Sequence, residues 1–258
     1  MFIVLAGTLS IAPLALSDNS ASTGLETVRE YFNSGEYEKA QEIGITIGTS
    51  DSYLLASEAL TAKIILGHFE KPNGPAKQAR EWAEKAIALD PDNLDARFHH
   101  AVAFGLETQS TGVLKAWRKK MPTRMRREIE ALQDLAPEDP RGAALLGAWH
   151  LGIVNKVGKR NAYNWYKASP DEGTKYYEMA AFDLSKDDVV ITSNYAASTI
   201  ILGDLDYAQK LLLSVMDMKT KNAAEQAIQL RMKMLLSLYD EPKKLRRSAK
   251  RFLNNKGP

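Results

Sequence analysis

Apolar and small residues recur at the spacing of one helix face along most of the chain, which predicts amphipathic α-helices. The clearest stripe runs from Ala79 to Leu89. The next four residues are Asp90-Pro91-Asp92-Asn93. They predict a helix end, because proline cannot continue a helix and Asp and Asn favour turns and N-caps. This stretch therefore predicts a helix, a stop and the start of a second helix.

The same alternation of apolar stripe and stop predicts helices over most of the remaining chain. The predicted ranges are 25–47 (a pair that turns at Gly35), 53–67, 77–89, 94–105, 123–135, 142–154, 175–188, 189–202, 223–239 and 242–254. The chain is therefore predicted to be all-α, with one continuous helical domain over 25–258. Residues 18–24, rich in Ser, Asn and Thr, are predicted to be a flexible leader. Residues 155–173 are predicted to be an irregular insertion.

The first residues have the pattern of an export signal. Residues 2–16 form an uncharged apolar run, and Ala15-Leu16-Ser17 places small residues at a cleavage site of the signal-peptidase type. Residues 1–17 are thus predicted to be a signal peptide of a periplasmic or otherwise exported protein. The run is shorter than the about 20 residues of a bilayer span, so no stable membrane span is expected in the mature chain. A cytoplasmic protein, or an anchor formed by an uncleaved N-terminus, remains the alternative.

The phrase GEYEKA at 35–40 and the phrase LDPDN at 89–93 resemble the inter-helix turn and the helix end of tetratricopeptide repeats. The order of LDPDN, APEDP (136–140), LLGAWH (145–150) and YYEMAAFDL (176–184) is similar to the regulator-of-microtubule-dynamics family and to repeat proteins associated with TRAP-type transporters. The similarity covers about 79–215. It implies a right-handed superhelical solenoid of antiparallel helix pairs that binds a partner and carries no enzymatic activity or cofactor.

Composition and motifs point away from catalysis and metal binding. The chain has no cysteine, which excludes disulfides and thiolate ligands. His99 and His100 are adjacent and project about 100° apart on a helix, so they are poorly placed for one metal ion. Nucleophile-elbow and phosphate-loop motifs are absent. The sequence therefore predicts no enzyme, no metal and no cofactor.

Two basic runs are interpreted as solvated helix faces. They comprise Lys115, Arg118, Lys119, Lys120, Arg124, Arg126 and Arg127 in the first run, and Lys243, Lys244, Arg246, Arg247, Lys250 and Arg251 in the second. Carboxylates follow the first run directly, few aromatic residues interleave with it, and the net charge of the chain is only +2. No nucleic-acid partner is therefore predicted.

Aromatic residues give the strongest indication of a binding site. They concentrate between residues 149 and 177 of a chain that is only 8% aromatic. The concave face expected for the repeat array adds small and apolar residues. The predicted ligand- or partner-binding residues are Phe98, Val102, Trp149, His150, Tyr163, Trp165, Tyr166, Tyr177, Ser193 and Asn194. Rigid aromatic side chains suit such a role, because they offer a large contact area at a low entropic cost.

Two functions follow as hypotheses. In the first, the protein is a non-catalytic scaffold that binds a protein or peptide on its concave face. In the second, it is a small-molecule-binding accessory of a solute transporter, with the ligand enclosed by the concave face and the aromatic insertion. The sequence leaves both open.

Overall fold

The computed structural model describes residues 18–185 and 187–257, and all regular secondary structure in these ranges is helical. The predicted signal peptide at 1–17 lies outside them. The helices are α1 (Asp18–Ser34), α2 (Tyr37–Ile47), α3 (Ser50–Ile65), α4 (Asn73–Leu89), α5 (Leu94–Ser110), α6 (Val113–Arg118), α7 (Met121–Leu135), α8 (Pro140–Val157), α9 (Lys159–Tyr166), α10 (Pro170–Glu178), α11 (Val189–Leu202), α12 (Leu205–Asp217), α13 (Ala223–Leu236) and α14 (Pro242–Leu253). A π-helical segment, Met179–Leu184, continues α10. The all-α prediction is confirmed.

Side-chain caps fix where many of the helices begin. The Asn93 side chain accepts a hydrogen bond from the Ala96 amide at 2.9 Å, so the stop after α4 is also the N-cap of α5. Asp139 and Asp188 cap α8 and α11 in the same way. Each such cap satisfies a backbone donor that the first helical turn leaves without a partner. The helix starts are thus encoded locally.

Two predictions of irregular structure are wrong. Residues 18–24, predicted to be a flexible leader, form the first part of α1. Residues 155–173, predicted to be an irregular insertion, are mostly helical: α8 continues to Val157, α9 spans Lys159–Tyr166, and α10 begins at Pro170. The interruption consists of Gly158, which has a positive φ of 81°, and the short link 167–169.

Consecutive helices pack in pairs from α1 to α5, and again from α7 to α8 and from α11 to α13. Helix α11 is the centre of the C-terminal half, where it contacts α8, α10, α12, α13 and α14. This position explains its sequence, because a helix that is apolar on all sides has to be surrounded by protein. Tyr195 and Ile200 of α11 are at most 1% exposed.

The C-terminal helices return to the first half of the chain. Helix α13 contacts α1, and the Arg231 guanidinium of α13 donates to the Ile65 carbonyl at the end of α3. The Gln109 side chain, at the end of α5, donates to the Leu253 carbonyl of α14 at 2.5 Å. These bonds tie α13 to α3 and α14 to α5, and the contact between α1 and α13 adds a third link to the first half of the chain.

Gly147 allows α8 and α10 to pack closely. A methyl group added at Gly147 would lie 2.8 Å from the Tyr177 ring, and Tyr177 is itself only 2% exposed.

Gly147→Ala is therefore expected to lower the free energy of unfolding by about 1–3 kcal/mol, the cost of overpacking. Gly152→Ala, in the same helix, is the matched control, because its methyl group meets nothing within 4 Å. It is expected to stabilise the helix by about 0.5–1 kcal/mol. Urea unfolding of both variants measures the difference, and equal effects would contradict this account.

No helix in the described part of the chain is long and apolar enough to cross a membrane.

Candidate functional site

Trp149 of α8 is the centre of an aromatic cluster. Its side chain is 3% exposed, and its indole N–H donates to the Pro122 carbonyl in the first turn of α7 at 2.9 Å. The rings of His150 and Tyr166 lie edge-on to Trp149, with centroid distances of 5.0 and 6.5 Å. A buried indole usually has a partner for its N–H, and this one links α7 to α8. Trp149 thus acts as the structural base of the cluster.

His150 is held as a neutral imidazole. The Ser169 amide donates to its Nδ1 at 3.2 Å, which makes Nδ1 the acceptor and leaves the proton on Nε2. Burial, followed by the nearby charge of Arg126, lowers the pKa of His150 to about 4. Its ring also stacks on Tyr176 with a centroid distance of 5.7 Å. Because His150 is only 2% exposed, the role it fulfils here is packing and fixing the 167–169 link.

Arg126 of α7 joins the cluster to α9. Its guanidinium lies 5.2 Å from the Trp149 ring, donates to the Tyr166 carbonyl at 3.1 Å and pairs with Glu130 at 2.7 Å. The end of α9 is therefore fixed on the same tryptophan that binds the start of α7. Helix α6 directly precedes α7. Helices α6 and α9 both pack on the hydrophobic cluster that includes Trp149, through Ala116 and Ala162.

Helix α9 presents its aromatic residues in two ways. Ala162 is fully buried and Tyr166 is half-buried against Trp149, which anchors the helix. Tyr163 and Trp165 are instead 56% and 58% exposed. The predicted aromatic set is thus divided: Trp149, His150 and Tyr177 are core residues, whereas Tyr163 and Trp165 are available to a partner.

Helix α6 carries a second exposed apolar group that the sequence reasoning missed. Leu114 is 69% exposed, Trp117 57% and Val113 48%, while Ala116 packs into the cluster below. The cations that surround them are also exposed: Lys115, Arg118, Lys119 and Lys120. The available signal is Trp117, which lies within the first of the two basic runs that are predicted to be solvated helix faces.

The predicted concave residues are not assembled into one open surface. Phe98 is 1% exposed, with the Arg141 guanidinium 4.3 Å from its ring, and Val102 is half-buried on the same helix. Ser193 of α11 is fully buried, and its hydroxyl has no hydrogen-bond partner among the described residues. Asn194 is half-buried and donates to the Val190 carbonyl of its own helix.

Tyr177 belongs to a different part of the core from Trp149. It stacks on Tyr195 of α11 with a centroid distance of 5.2 Å and an interplanar angle of 10°. The Tyr195 ring in turn meets Tyr207 edge-on. Tyr177 therefore joins α10 to α11 and does not line a site with the other predicted aromatic residues.

His100 lies between two carboxylates. It is hydrogen-bonded through Nδ1 to Glu128 and through Nε2 to Glu84. Burial alone would lower the pKa of His100, but the hydrogen bond and charge of Glu128, together with Glu84, raise it. The group connects α4, α5 and α7 as a polar cross-link. Within the described ranges, no group of three or more His, Asp or Glu residues is placed to hold a metal ion.

A cleft between the end of α3, the end of α5 and α14 is a second candidate site, which no motif in the sequence indicates. Its volume is about 480 Å³, and its lining includes five cations: Lys156, Arg247, Lys250, Arg251 and Lys256. Arg247, Lys250 and Arg251 belong to the second basic run, for which the sequence predicts a solvated helix face. Their convergence depends on the return of the C-terminal helices to α3 and α5.

Comparison with known proteins adds no assignment: no family model matches the chain, and no curated protein matches its sequence. The class that the structure itself defines is an all-α protein with helices packed in neighbouring pairs.

Proposed function

We propose that the protein is a non-catalytic binding module for a protein segment that carries both acidic and apolar side chains. The binding site is the surface formed by α6, the first turn of α7 and α9, called here the aromatic–basic surface. The observation that carries the proposal is the exposure of Trp117 and Trp165, each more than half exposed, on two helices whose buried residues Ala116 and Ala162 belong to the same hydrophobic cluster as Trp149. Exposed aromatic anchors on a rigid base are typical of binding hot spots.

The charge of this surface selects the partner. Residues 111–127 contain seven Lys and Arg and no carboxylate, and residues 157–168 contain three and no carboxylate. An acidic segment complements these charges and is steered toward them, while its apolar side chains cover the tryptophans. Such a segment fits the first hypothesis from the sequence, although its position differs from the concave face predicted there.

A discrete protein segment suits the surface better than an anionic membrane does. Carboxylates follow both parts of the surface in the sequence, with Glu128, Glu130 and Asp134 on α7 and Asp171 and Glu172 at the start of α10. A broad negative plane would be repelled by these groups, because charges within about 8–10 Å interact at physiological salt. A narrow acidic segment pairs with the cations and avoids the carboxylates.

We also propose that the protein has a tetratricopeptide-like architecture and that it is exported. The pairing of consecutive helices and the Asp-Pro-Asp-Asn stop, which caps α5 through Asn93, support a tetratricopeptide-like array. The apolar run at 2–16 supports export to the periplasm. A small-molecule site among the aromatic residues has less support, because Trp149, His150 and Tyr177 are each at most 3% exposed.

A peptide-display selection on the immobilised protein tests the proposal. We expect selected peptides to be enriched in Asp and Glu interspersed with Leu, Phe or Trp. Trp117→Ala/Trp165→Ala is expected to weaken a selected peptide about 30-fold, since a hot-spot truncation costs about 2 kcal/mol or more. Its thermal stability should change little, because both side chains are exposed.

Leu213→Ala/Leu230→Ala is the matched control, because these two exposed apolar residues lie on α12 and α13. It should bind the selected peptides as the unchanged protein does. Selection of peptides without acidic residues, or equal binding by the double tryptophan variant, would contradict the proposal. Sedimentation of the protein with anionic vesicles, without any acidic peptide selected, would replace it with a membrane-docking function.

A further inference from the structure

The C-terminal helix and the residues after it build one wall of a cleft against the first half of the chain. The opposite wall is formed by Ile64, by Phe69 and Pro72 between α3 and α4, and by Leu106 at the end of α5. The volume of about 480 Å³ lies within the range of small-molecule sites. The cleft is on different elements from the aromatic–basic surface and is independent of it.

The cleft combines a strong positive charge with an apolar wall. Five of its lining residues are cations, and only one, Glu70, is a carboxylate. Within the described ranges, no ion pair involves Lys156, Arg247, Lys250 or Lys256. Unbalanced cations in a concave site attract anions, because the low-dielectric walls focus the field.

The cations are close enough to affect one another. Burial, followed by the positive charges of Lys250 and Lys256, lowers the pKa of the Lys156 ammonium. Lys156 is also positioned by donating to the Gln109 carbonyl at 3.1 Å. A bound anion would reduce the repulsion among these ammonium groups.

The walls are fixed by polar contacts within the chain. The Asn255 side chain donates to the Gln109 side-chain oxygen at 2.6 Å, and the Arg231 guanidinium donates to the Lys256 carbonyl at 2.6 Å. Gly67, with φ of 82°, lies so close to Gly257 that a methyl group at Gly67 would be 2.3 Å from the Gly257 nitrogen. The backbone of the tail that carries Lys256 is thus seated closely on the end of α3.

We propose that this cleft binds a small organic anion with a phosphate or carboxylate group, held by the cations of α8, α14 and the tail, with its apolar part against the half-buried Phe69 and Leu106. The cations and the apolar wall lie on different sides of the cleft, so the charged group and the apolar part of a ligand each have their own contacts. Charge-assisted hydrogen bonds from Arg and Lys hold the oxyanion, and burial against the apolar wall adds affinity for a ligand that carries a ring or a short chain.

Isothermal titration with phenyl phosphate tests the proposal, with inorganic phosphate, benzoate and phenol as comparison probes. We expect phenyl phosphate to bind more tightly than inorganic phosphate, benzoate to bind, and phenol not to bind. The affinity should fall as salt is raised, because the interaction is electrostatic. Binding of phenol as strong as that of phenyl phosphate would overturn the proposal.

Arg247→Ala/Lys250→Ala should weaken phenyl phosphate binding about tenfold or more, since each hydrogen bond to a charged group contributes about 1.5–3 kcal/mol. Lys243→Ala/Arg246→Ala is the matched control: it removes the same charge from the same helix at residues that do not line the cleft. The control should bind as the unchanged protein does. An equal loss in both variants would assign the effect to net charge alone and refute the site.

The phosphate group could belong to a free metabolite or to a lipid headgroup, and vesicles distinguish the two sources. Neutral phosphatidylcholine vesicles with and without phosphatidic acid are sedimented with the protein. Recruitment by phosphatidic acid that is lost in Arg247→Ala/Lys250→Ala would assign a lipid source. Binding of phenyl phosphate without recruitment would assign a soluble one. Failure of both assays would reject the cleft as a binding site, but it would not contradict the function proposed for the aromatic–basic surface.

Discussion

Trp149→Ala is expected to lower the free energy of unfolding by about 3–5 kcal/mol, the usual cost of truncating a buried aromatic side chain. The substitution removes a side chain that is only 3% exposed and leaves the Pro122 carbonyl without its indole donor. It also removes the ring beneath the Arg126 guanidinium and beside Tyr166. The loss of stability is therefore expected to be accompanied by loosening of α9.

Chemical denaturation measures the stability change, and hydrogen exchange of the α9 amides measures the local one. Trp165→Ala is the control, because the same residue type is 58% exposed there and its removal should change stability by no more than about 0.5 kcal/mol. Trp149→Phe should lie between the two, since it keeps an aromatic ring and loses the indole N–H. Equal stabilities of Trp149→Ala and Trp165→Ala would contradict the central position given to Trp149.

Acidification from pH 7 to pH 4 is expected to remove up to about 3 kcal/mol of stability through His150 alone. Burial and the charge of Arg126 lower the pKa of His150 to about 4 in the folded protein, against an ordinary value of 6.5. Between these values the unfolded chain binds more protons than the folded chain, so stability falls as the pH falls. The contribution is fully present above about pH 6.5.

The test compares urea unfolding of the unchanged protein and of His150→Asn across this pH range. The Asn side-chain oxygen replaces Nδ1 as the acceptor for the Ser169 amide, and the variant cannot titrate. The stability difference between the two proteins should change by about 3 kcal/mol between pH 7 and pH 4. A constant difference would show that the folded imidazole titrates near its ordinary pKa.

His100 provides a control of the opposite sign. Its pKa is raised, against the effect of burial, by Glu128 and Glu84. The stability it contributes is present below its unfolded pKa and is lost as the pH rises through its folded pKa. His100→Gln should therefore lose most stability, relative to the unchanged protein, at acid pH. The contributions of His100 and His150 to the pH dependence of stability have opposite signs and partly cancel in the unchanged protein. The two variants are therefore needed to measure each contribution.

Helix positions could be predicted from the sequence where local chemistry determines them. The Asp90-Pro91-Asp92-Asn93 stop separates α4 and α5 as expected, because proline ends one helix and the Asn93 side chain caps the next. The range 189–202 matches α11, since its mostly apolar and small residues are preceded by a capping aspartate and followed by Gly203. These signals act within a few residues.

The wrong predictions fall where tertiary contacts override composition. The polar composition of 18–24 indicated a leader, yet these residues continue the amphipathic helix that packs Val28 against α2 and α3. Residues 155–173 were expected to be irregular, but Ala162, Ala168 and Tyr166 hold the segment on the hydrophobic cluster that includes Trp149. Only the packed neighbours, which are distant in the sequence, make these helices stable.

The predicted site was partly placed on residues that the fold uses as core. The prediction that Phe98 and Ser193 line an open concave face assumed an array whose helices contact only their neighbours. The return of α13 and α14 to the first half of the chain was not encoded by any local motif. The same return creates the basic cleft, whose residues Gln109 and Asn255 are 146 positions apart.

The bond between Arg231 and Ile65 also bears on how the chain folds. It joins residues 166 positions apart, and the bond between Gln109 and Leu253 spans 144. An open repeat array folds by propagation from any unit and frays from its ends, because its contacts are local. Here the last helices are hydrogen-bonded to the early ones. Complete folding therefore requires the closure of a large loop, which slows folding. Once formed, these bonds couple the two halves into one cooperative unit and protect the C-terminal helices from fraying.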